Sequence, residues 1–377
     1  MPAPEPNKTR RRLFALVAVS VSLLGSYLLV EIGLWLLAPI GSQAMNSEFT
    51  QTLPGLKERL RYTRNEVGLR SISMKSRRKP AGTYRILCLG ASTTDQPTQS
   101  TEDTWSGVLE TGLKSDDPKR PIEVAALGRG GWKSIELLHW SRHNLNSCKP
   151  DMVIFLLGIN DLCGNGGRDY SFNNIDDALA ERFPSDLHMF ARRYSQIWRR
   201  VTAARDAARQ AEDLKTGDTV EWHSENMNFI RGFYRNQPAL AQTNRQPDPI
   251  LEFTQATEAL VTMARNLDIP VIVLAQPVLW HADITDDHRK LLWFLVNSRR
   301  GGQRPDMAWV HAEMLRYNEA QAEIARRHGA HYLDLEKRIP KDARHFFDDC
   351  HFTDQGNRRV ANELLPLIRK LMTEPSP

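Results

Sequence analysis

Between Leu13 and Val30 the chain runs for 18 residues without a charge, and past Glu31 the apolar stretch resumes to Ile40. At about 1.5 Å per helical residue, a segment of this length crosses a hydrocarbon core of about 30 Å. Lys8, Arg10, Arg11 and Arg12 stand directly before it. Positive flanks stay in the cytoplasm. The pattern therefore predicts a cytoplasmic basic tail over 1–12, a transmembrane signal anchor over 13–40, and an extracytoplasmic body, periplasmic in a Gram-negative cell. Glu31 falls near the outer interface, with Trp35 as an interfacial aromatic. Three readings compete. Ser42-Gln43-Ala44 offers a small-residue cleavage site for a removable signal, and Thr9-Arg10-Arg11 is a fragment of a twin-arginine signal. The third is a buried helix of a soluble protein, which three arginines directly before it disfavour. Both export readings place the body on the same side as the anchor does.

Charge narrows the partners. The chain of 377 residues carries 50 Lys+Arg against 45 Asp+Glu. Much of that excess sits in the tail, where Glu5 faces four cations, so no basic face is implied for the body and no nucleic-acid partner is expected. With 41% apolar residues a packed core is expected. The four cysteines contain no Cys-x-x-Cys pair, which excludes a zinc ribbon or a thioredoxin motif.

Residues 41–82 are polar and mixed, and read as a stalk whose basic run (Lys75, Arg77, Arg78, Lys79) is a solvated linker or a contact for anionic headgroups. From 83 to 373 short apolar runs alternate with helical patterns. The strands expected are Tyr84–Leu89, Ile122–Leu127, Met152–Leu157, Val271–Ala275 and His331–Leu335. Such alternation predicts an α/β fold, a parallel sheet with helices on both faces. Two insertions interrupt it: 164–249, helical around Ser185–Leu214, and 278–311, rich in tryptophan.

Chemistry-bearing residues follow the strands. The first strand runs into Gly90-Ala91-Ser92, the second into Gly128, the third into Gly158-Ile159-Asn160-Asp161, and Asp348-Asp349-Cys350-His351 lies near the C-terminus. In a parallel sheet the loops beyond the carboxyl ends of the strands converge. Ser92 is a weak nucleophile until a base removes its proton. His351 can do so near neutral pH, and Asp348 can fix its tautomer. Backbone N–H groups of Ser92 and Gly128 with the Asn160 amide form a candidate oxyanion hole. The bland readings are a turn serine, an Asx-capped turn at Asn160 and a structural histidine. The joint pattern outweighs them.

This arrangement resembles the SGNH (GDSL-like) hydrolases over about residues 84–370. Ser92, Gly128, Asn160 and His351 match the four blocks in order, with Asp348 three residues before the histidine. The resemblance implies a flavodoxin-like three-layer α/β/α sandwich, serine ester hydrolysis, and no metal or cofactor. Two positions depart from the pattern. Ala91 stands where the family often has Asp, and Ala126 where Asn is frequent, so a loop-ordering hydrogen bond beside Gly128 is expected to be missing.

The expected function is hydrolysis of an acyl ester, O-acetyl by preference, on an extracytoplasmic glycan. Alternatives are an O-acyltransferase using the same triad and a catalytically silent glycan-binding or assembly scaffold. Asp349 competes with Asp348 as the orienter of His351, and Asp161 is read as ordering its own loop. If the loops converge, Cys163 and Cys350 come close enough for a disulfide in an oxidising compartment. The alternative is a pair of small buried residues, which is also the reading for Cys88. His139 and His143, at i and i+4, lack a third ligand and read as a helix surface. The tryptophans of 278–311 either line a sugar or acyl site or pack a local core.

Overall fold

The computed structural model describes residues 8–37, 45–50, 55–164 except Glu66 and Asp117, 175–183, 250–293 and 306–373, with scattered positions between 187 and 205 and Arg231. The chain divides into two compact units. One comprises Met1–Gln43 and Pro184–Val220, and the other holds the remainder. In the first unit, α1 (Lys8–Leu37) is a single helix whose apolar side chains are largely exposed, long and apolar enough to cross a membrane or to serve as a signal sequence.

The second unit is an α/β sandwich. Its central strands are β4 (Tyr84–Gly90), β5 (Ile122–Leu127), β6 (Met152–Leu156), β7 (Val271–Leu274) and β8 (His331–Leu333). They run parallel in the spatial order β5-β4-β6-β7-β8. Counted along the parallel strands this is the order 2-1-3-4-5, that of flavodoxin-like folds. Every residue of β5, β6 and β7 is buried, as both faces of a parallel sheet require. Helices α3 (Trp105–Asp116) and α11 (Asp354–Thr373) pack together, as do α4 (Ser134–Cys148), α7 (Leu251–Arg265) and α9 (Met307–Arg327). The five strands expected from sequence are all present, each within two residues of its expected end.

The direction of chain reverses between β4 and β6. From β4 the chain passes outward to β5, and after β5 it crosses back to β6 on the other side. In folds of this order, ligand sites form at the carboxyl edge of the sheet where the strand order reverses.

The segment read as a stalk is different. β2 (Arg59–Arg64) alternates exposed and buried residues, and β3 (Arg70–Ser71) adds an antiparallel edge strand beside β5. Leu60, Tyr62, Leu69 and Met74 are buried. Arg70, 1% exposed, donates to the carbonyls of Asp95, Gln96 and Gln99 and stacks its guanidinium over the Tyr62 ring at 4.3 Å. Half of the basic run is docked as well: Arg77 donates to Ser147 and Asn144 on α4, and Lys79 pairs with Asp151, while Lys75 and Arg78 are exposed. The linker reading fails over 59–79 because these cations find carbonyls, hydroxyls and carboxylates that lie 25 or more residues away.

Arg70→Met keeps the apolar stem but orphans three buried carbonyls. It is expected to cost about 3 kcal/mol, read by urea unfolding of the detergent-solubilised chain. A residue of a solvated linker would change stability by no more than about 0.5 kcal/mol.

Candidate active site

Ser92 opens a single helical turn, α2 (Ser92–Asp95), directly after β4. The turn is fixed from outside. Asp95 accepts the Tyr62 hydroxyl at 3.0 Å and the Arg64 guanidinium at 2.8 Å, while Arg64 also donates to the Gly128 carbonyl at 3.1 Å. These three residues escaped the sequence reading. The signal that could have found them is the alternation in Arg59–Arg64, which places Leu60 and Tyr62 on one face of a strand.

Gly128 lies against the serine turn. A Cβ built on it would come within 2.1 Å of the Ala91 carbonyl oxygen and 2.7 Å of the Asp95 amide nitrogen, so no side chain fits. Asn160 sits in the first turn of α5 (Ile159–Gly164), entered through Gly158 at a φ of 110°. Its Nδ2 donates one hydrogen to the Trp132 carbonyl at 2.8 Å, which orients the amide and leaves the second hydrogen for another acceptor. Asp161, fully buried, accepts from the backbone N–H and the hydroxyl of Ser134 at 3.0 and 2.6 Å, tying α5 to the start of α4. Burial pushes its pKa up to about 6 against those two bonds.

His351 joins the two ends of the chain. Its Nε2 stands 2.8 Å from Ser92 Oγ, and its Nδ1 is 2.7 Å from Asp348 Oδ2. The backbone N–H groups of Cys350 and His351 donate to Asp348 Oδ1 at 3.0 and 2.8 Å. Burial raises the Asp348 pKa, but the charge and hydrogen bond of His351 outweigh it and hold the carboxyl below its ordinary value. Burial likewise works against protonating His351. The facing Asp348 overcomes it, and the imidazole pKa lies above that of an ordinary histidine. A serine, an imidazole and a carboxylate in this chain can transfer a proton out of the hydroxyl as it attacks an electrophile.

Asp348, not Asp349, faces the ring. Asp349 is held by the Trp280 indole N–H and the Trp293 backbone N–H, both at 2.8 Å. The Trp293 indole N–H donates to Asp348 Oδ2 at 2.9 Å. The second insertion thus brings two buried tryptophans onto the carboxylate pair. The sequence offered a ligand surface or a local core for these residues, and no pattern pointed to acidic partners more than 50 positions away.

Cys163 and Cys350 are both buried, and both are thiols rather than a disulfide. Cys350 Sγ lies 3.7 Å from His351 Nδ1, turned toward the imidazole. Burial, then Asp348 and Asp349, push the Cys350 thiol well above its ordinary pKa. Asp348, Cys350 and His351 bring three potential metal donors within 4.8 Å of one another, but a protonated thiol and an Nδ1 committed to a carboxylate are poor ligands. His139 and His143 are in edge contact, with His139 stacked on Phe183. Residues 219–247 of the first insertion, Arg231 excepted, lie outside the described residues.

The model of the GDSL-like lipase/acylhydrolase family matches residues 88–359. Among solved structures, the acetylxylan esterase Axe2 from Geobacillus stearothermophilus is 14% identical, with 76% of this chain and 94% of that chain covered at a TM-score of 0.41. The α/β hydrolase LAE5 from the metagenome of Lake Arreo is 14% identical over 75% of this chain and 94% of that chain, at 0.42. The acetyl xylan esterase AlAXEase is 13% identical over 75% and 99%, at 0.41. No curated protein sequence matches the chain.

Trp293→Phe keeps an aromatic ring and removes one donor from Asp348. The carboxylate then concentrates its charge on the imidazole, so the His351 titration midpoint is expected to rise, as followed by NMR of labelled histidine. A midpoint equal to the parent's would remove Trp293 from the relay.

Proposed function

The chain belongs to the GDSL-like lipase/acylhydrolase family, and from that premise we propose that Ser92, His351 and Asp348 are its catalytic triad. The protein is a serine ester hydrolase. The observation that carries the assignment is the unbroken hydrogen-bonded chain from Ser92 Oγ through both nitrogens of His351 to Asp348.

Ser92 Oγ attacks the acyl carbon while His351 Nε2 takes its proton. Asp348 stabilises the imidazolium that forms. The oxyanion is received by the backbone N–H groups of Ser92 and Gly128 and by the free hydrogen of Asn160 Nδ2. Losing one such donor typically costs about 3–4 kcal/mol of transition-state stabilisation. Collapse of the tetrahedral intermediate expels the alcohol, which takes the proton from His351. Water then repeats the sequence on the acyl-enzyme.

We assign the substrate as a small O-acyl ester, O-acetyl by preference, on an extracytoplasmic glycan. Two observations support this. Ser92 and His351 are each 3% exposed and Asn160 is 4% exposed, which suits a short acyl group better than a long chain. The cations at the start of α1, ahead of its apolar run, support an extracytoplasmic body under the positive-inside rule. The same burial favours a second reading, transfer of the acyl group to an acceptor hydroxyl, since a dry site protects an acyl-enzyme from water. Product analysis with acetylated oligosaccharide donors separates the two: free acetate marks hydrolysis, an acetylated acceptor marks transfer.

Ser92→Ala is expected to lower p-nitrophenyl acetate turnover by at least about 10⁴-fold with the fold retained by circular dichroism. Equal turnover in both proteins would eliminate Ser92 as the nucleophile. His351 must be neutral to accept the proton, and its pKa is raised. The acid limb of kcat/KM is therefore expected to have its midpoint above about 6.5, the ordinary histidine value. A midpoint below that would contradict the assignment of His351 as base.

A further inference from the structure

Glu31 is the single charge between Leu13 and Ile40, and nothing in the esterase chemistry uses it. It stands about 27 Å along a helix from Leu13 at about 1.5 Å per residue, close to the far boundary of a hydrocarbon core of about 30 Å. A carboxylate at that depth needs donors. The first insertion supplies them within the same compact unit. Glu31 accepts the Ser195 hydroxyl at 3.0 Å, the Ile197 backbone N–H at 3.1 Å and the Gln196 backbone N–H. Tyr27, one turn earlier, bonds the Ser195 hydroxyl at 3.0 Å, and the Arg199 guanidinium lies 5.4 Å from the centre of the Trp35 ring, one turn later. One stripe of α1, at positions 27, 31 and 35, thus grips the first turn of a helix over residues 196–202, which Ser195 caps through the Trp198 N–H.

The composition of that helix is that of an interfacial one. Val201 is 54% exposed, Trp198 is partly exposed, and Arg199 and Arg200 accompany them. This apolar surface joins a helix whose own apolar side chains, such as Leu28, Ile32 and Leu36, are also exposed. We propose that residues 195–202 are a second membrane-contacting element. The helix lies in the headgroup layer where α1 leaves the bilayer, with Trp198 and Val201 toward the acyl chains. Its arginines meet anionic lipid phosphates, and Glu31 fixes its start. The proposal rests on α1 spanning a bilayer.

The test uses the full chain in vesicles of phosphatidylethanolamine and phosphatidylglycerol, with a nitroxide at Val201→Cys or, as a reference, at Leu24→Cys. The native cysteines are buried, so labelling goes to the introduced thiol. Collision rates with oxygen and with a water-soluble nickel chelate report depth. The expected result is a lipid-core environment at position 24 and a shallow, oxygen-favouring one at 201. Position 24 in lipid with 201 freely accessible to nickel would overturn the proposal alone. Nickel access at position 24 would overturn the anchor and the proposal together. Glu31→Leu, which makes α1 a better span, is expected to mobilise the label at 201; an unchanged spectrum would refute the clamp.

Discussion

A fully buried carboxylate is unstable unless every lone pair finds a donor, and Asp348 meets that condition from three directions. Its own loop supplies two backbone N–H groups, His351 supplies the ring, and the second insertion supplies the Trp293 indole. The rest of the site depends on this satisfaction. An Asp348 free to turn would release the imidazole, and an imidazole free to turn would lose Ser92. Because each donor comes from a packed or hydrogen-bonded segment, the geometry is set before any ester arrives. Preorganisation of this kind spares the reaction the cost of rearranging dipoles at the transition state.

The serine side is braced by a different logic. Ser92 lies on a helical turn too short to hold itself, and its stability is borrowed from Arg64, Tyr62 and Arg70. Burial pushes the Tyr62 hydroxyl up to about 12 and the Arg70 guanidinium down to about 10, so at neutral pH the phenol stays a donor and the guanidinium stays charged. The loop after β5 is pressed so closely on this turn that its position is dictated by backbone contact.

The sheet was legible because its strands are nearly pure apolar runs, and buried parallel strands leave little room for ambiguity. Ser92, Gly128, Asn160 and His351 were legible for a related reason: each follows such a run or closes the chain at a recognisable distance from a carboxylate. Segment 59–79 was not. Its cations look solvated in one dimension, and only the folded chain reveals the carbonyls that Arg70 serves. Trp280 and Trp293 were opaque for the same reason, since a tryptophan's hydrogen-bond partner leaves no local trace. For Cys163 and Cys350 a disulfide and a pair of small buried residues both stood open from sequence, and the structure has two buried thiols, with Cys350 Sγ turned toward the imidazole.

Ser92 and His351 are separated by 259 positions. A chain made only as far as β8 therefore holds the turn of the proposed nucleophile without its proposed base. Contacts of such separation are also the slowest to form and the last to be rewarded during folding. Under the proposed triad, an emerging chain carries an unactivated hydroxyl until His351 has been made and seated beside it. A truncation of a few dozen residues at the C-terminus would leave the sheet's first strands intact and the chemistry absent.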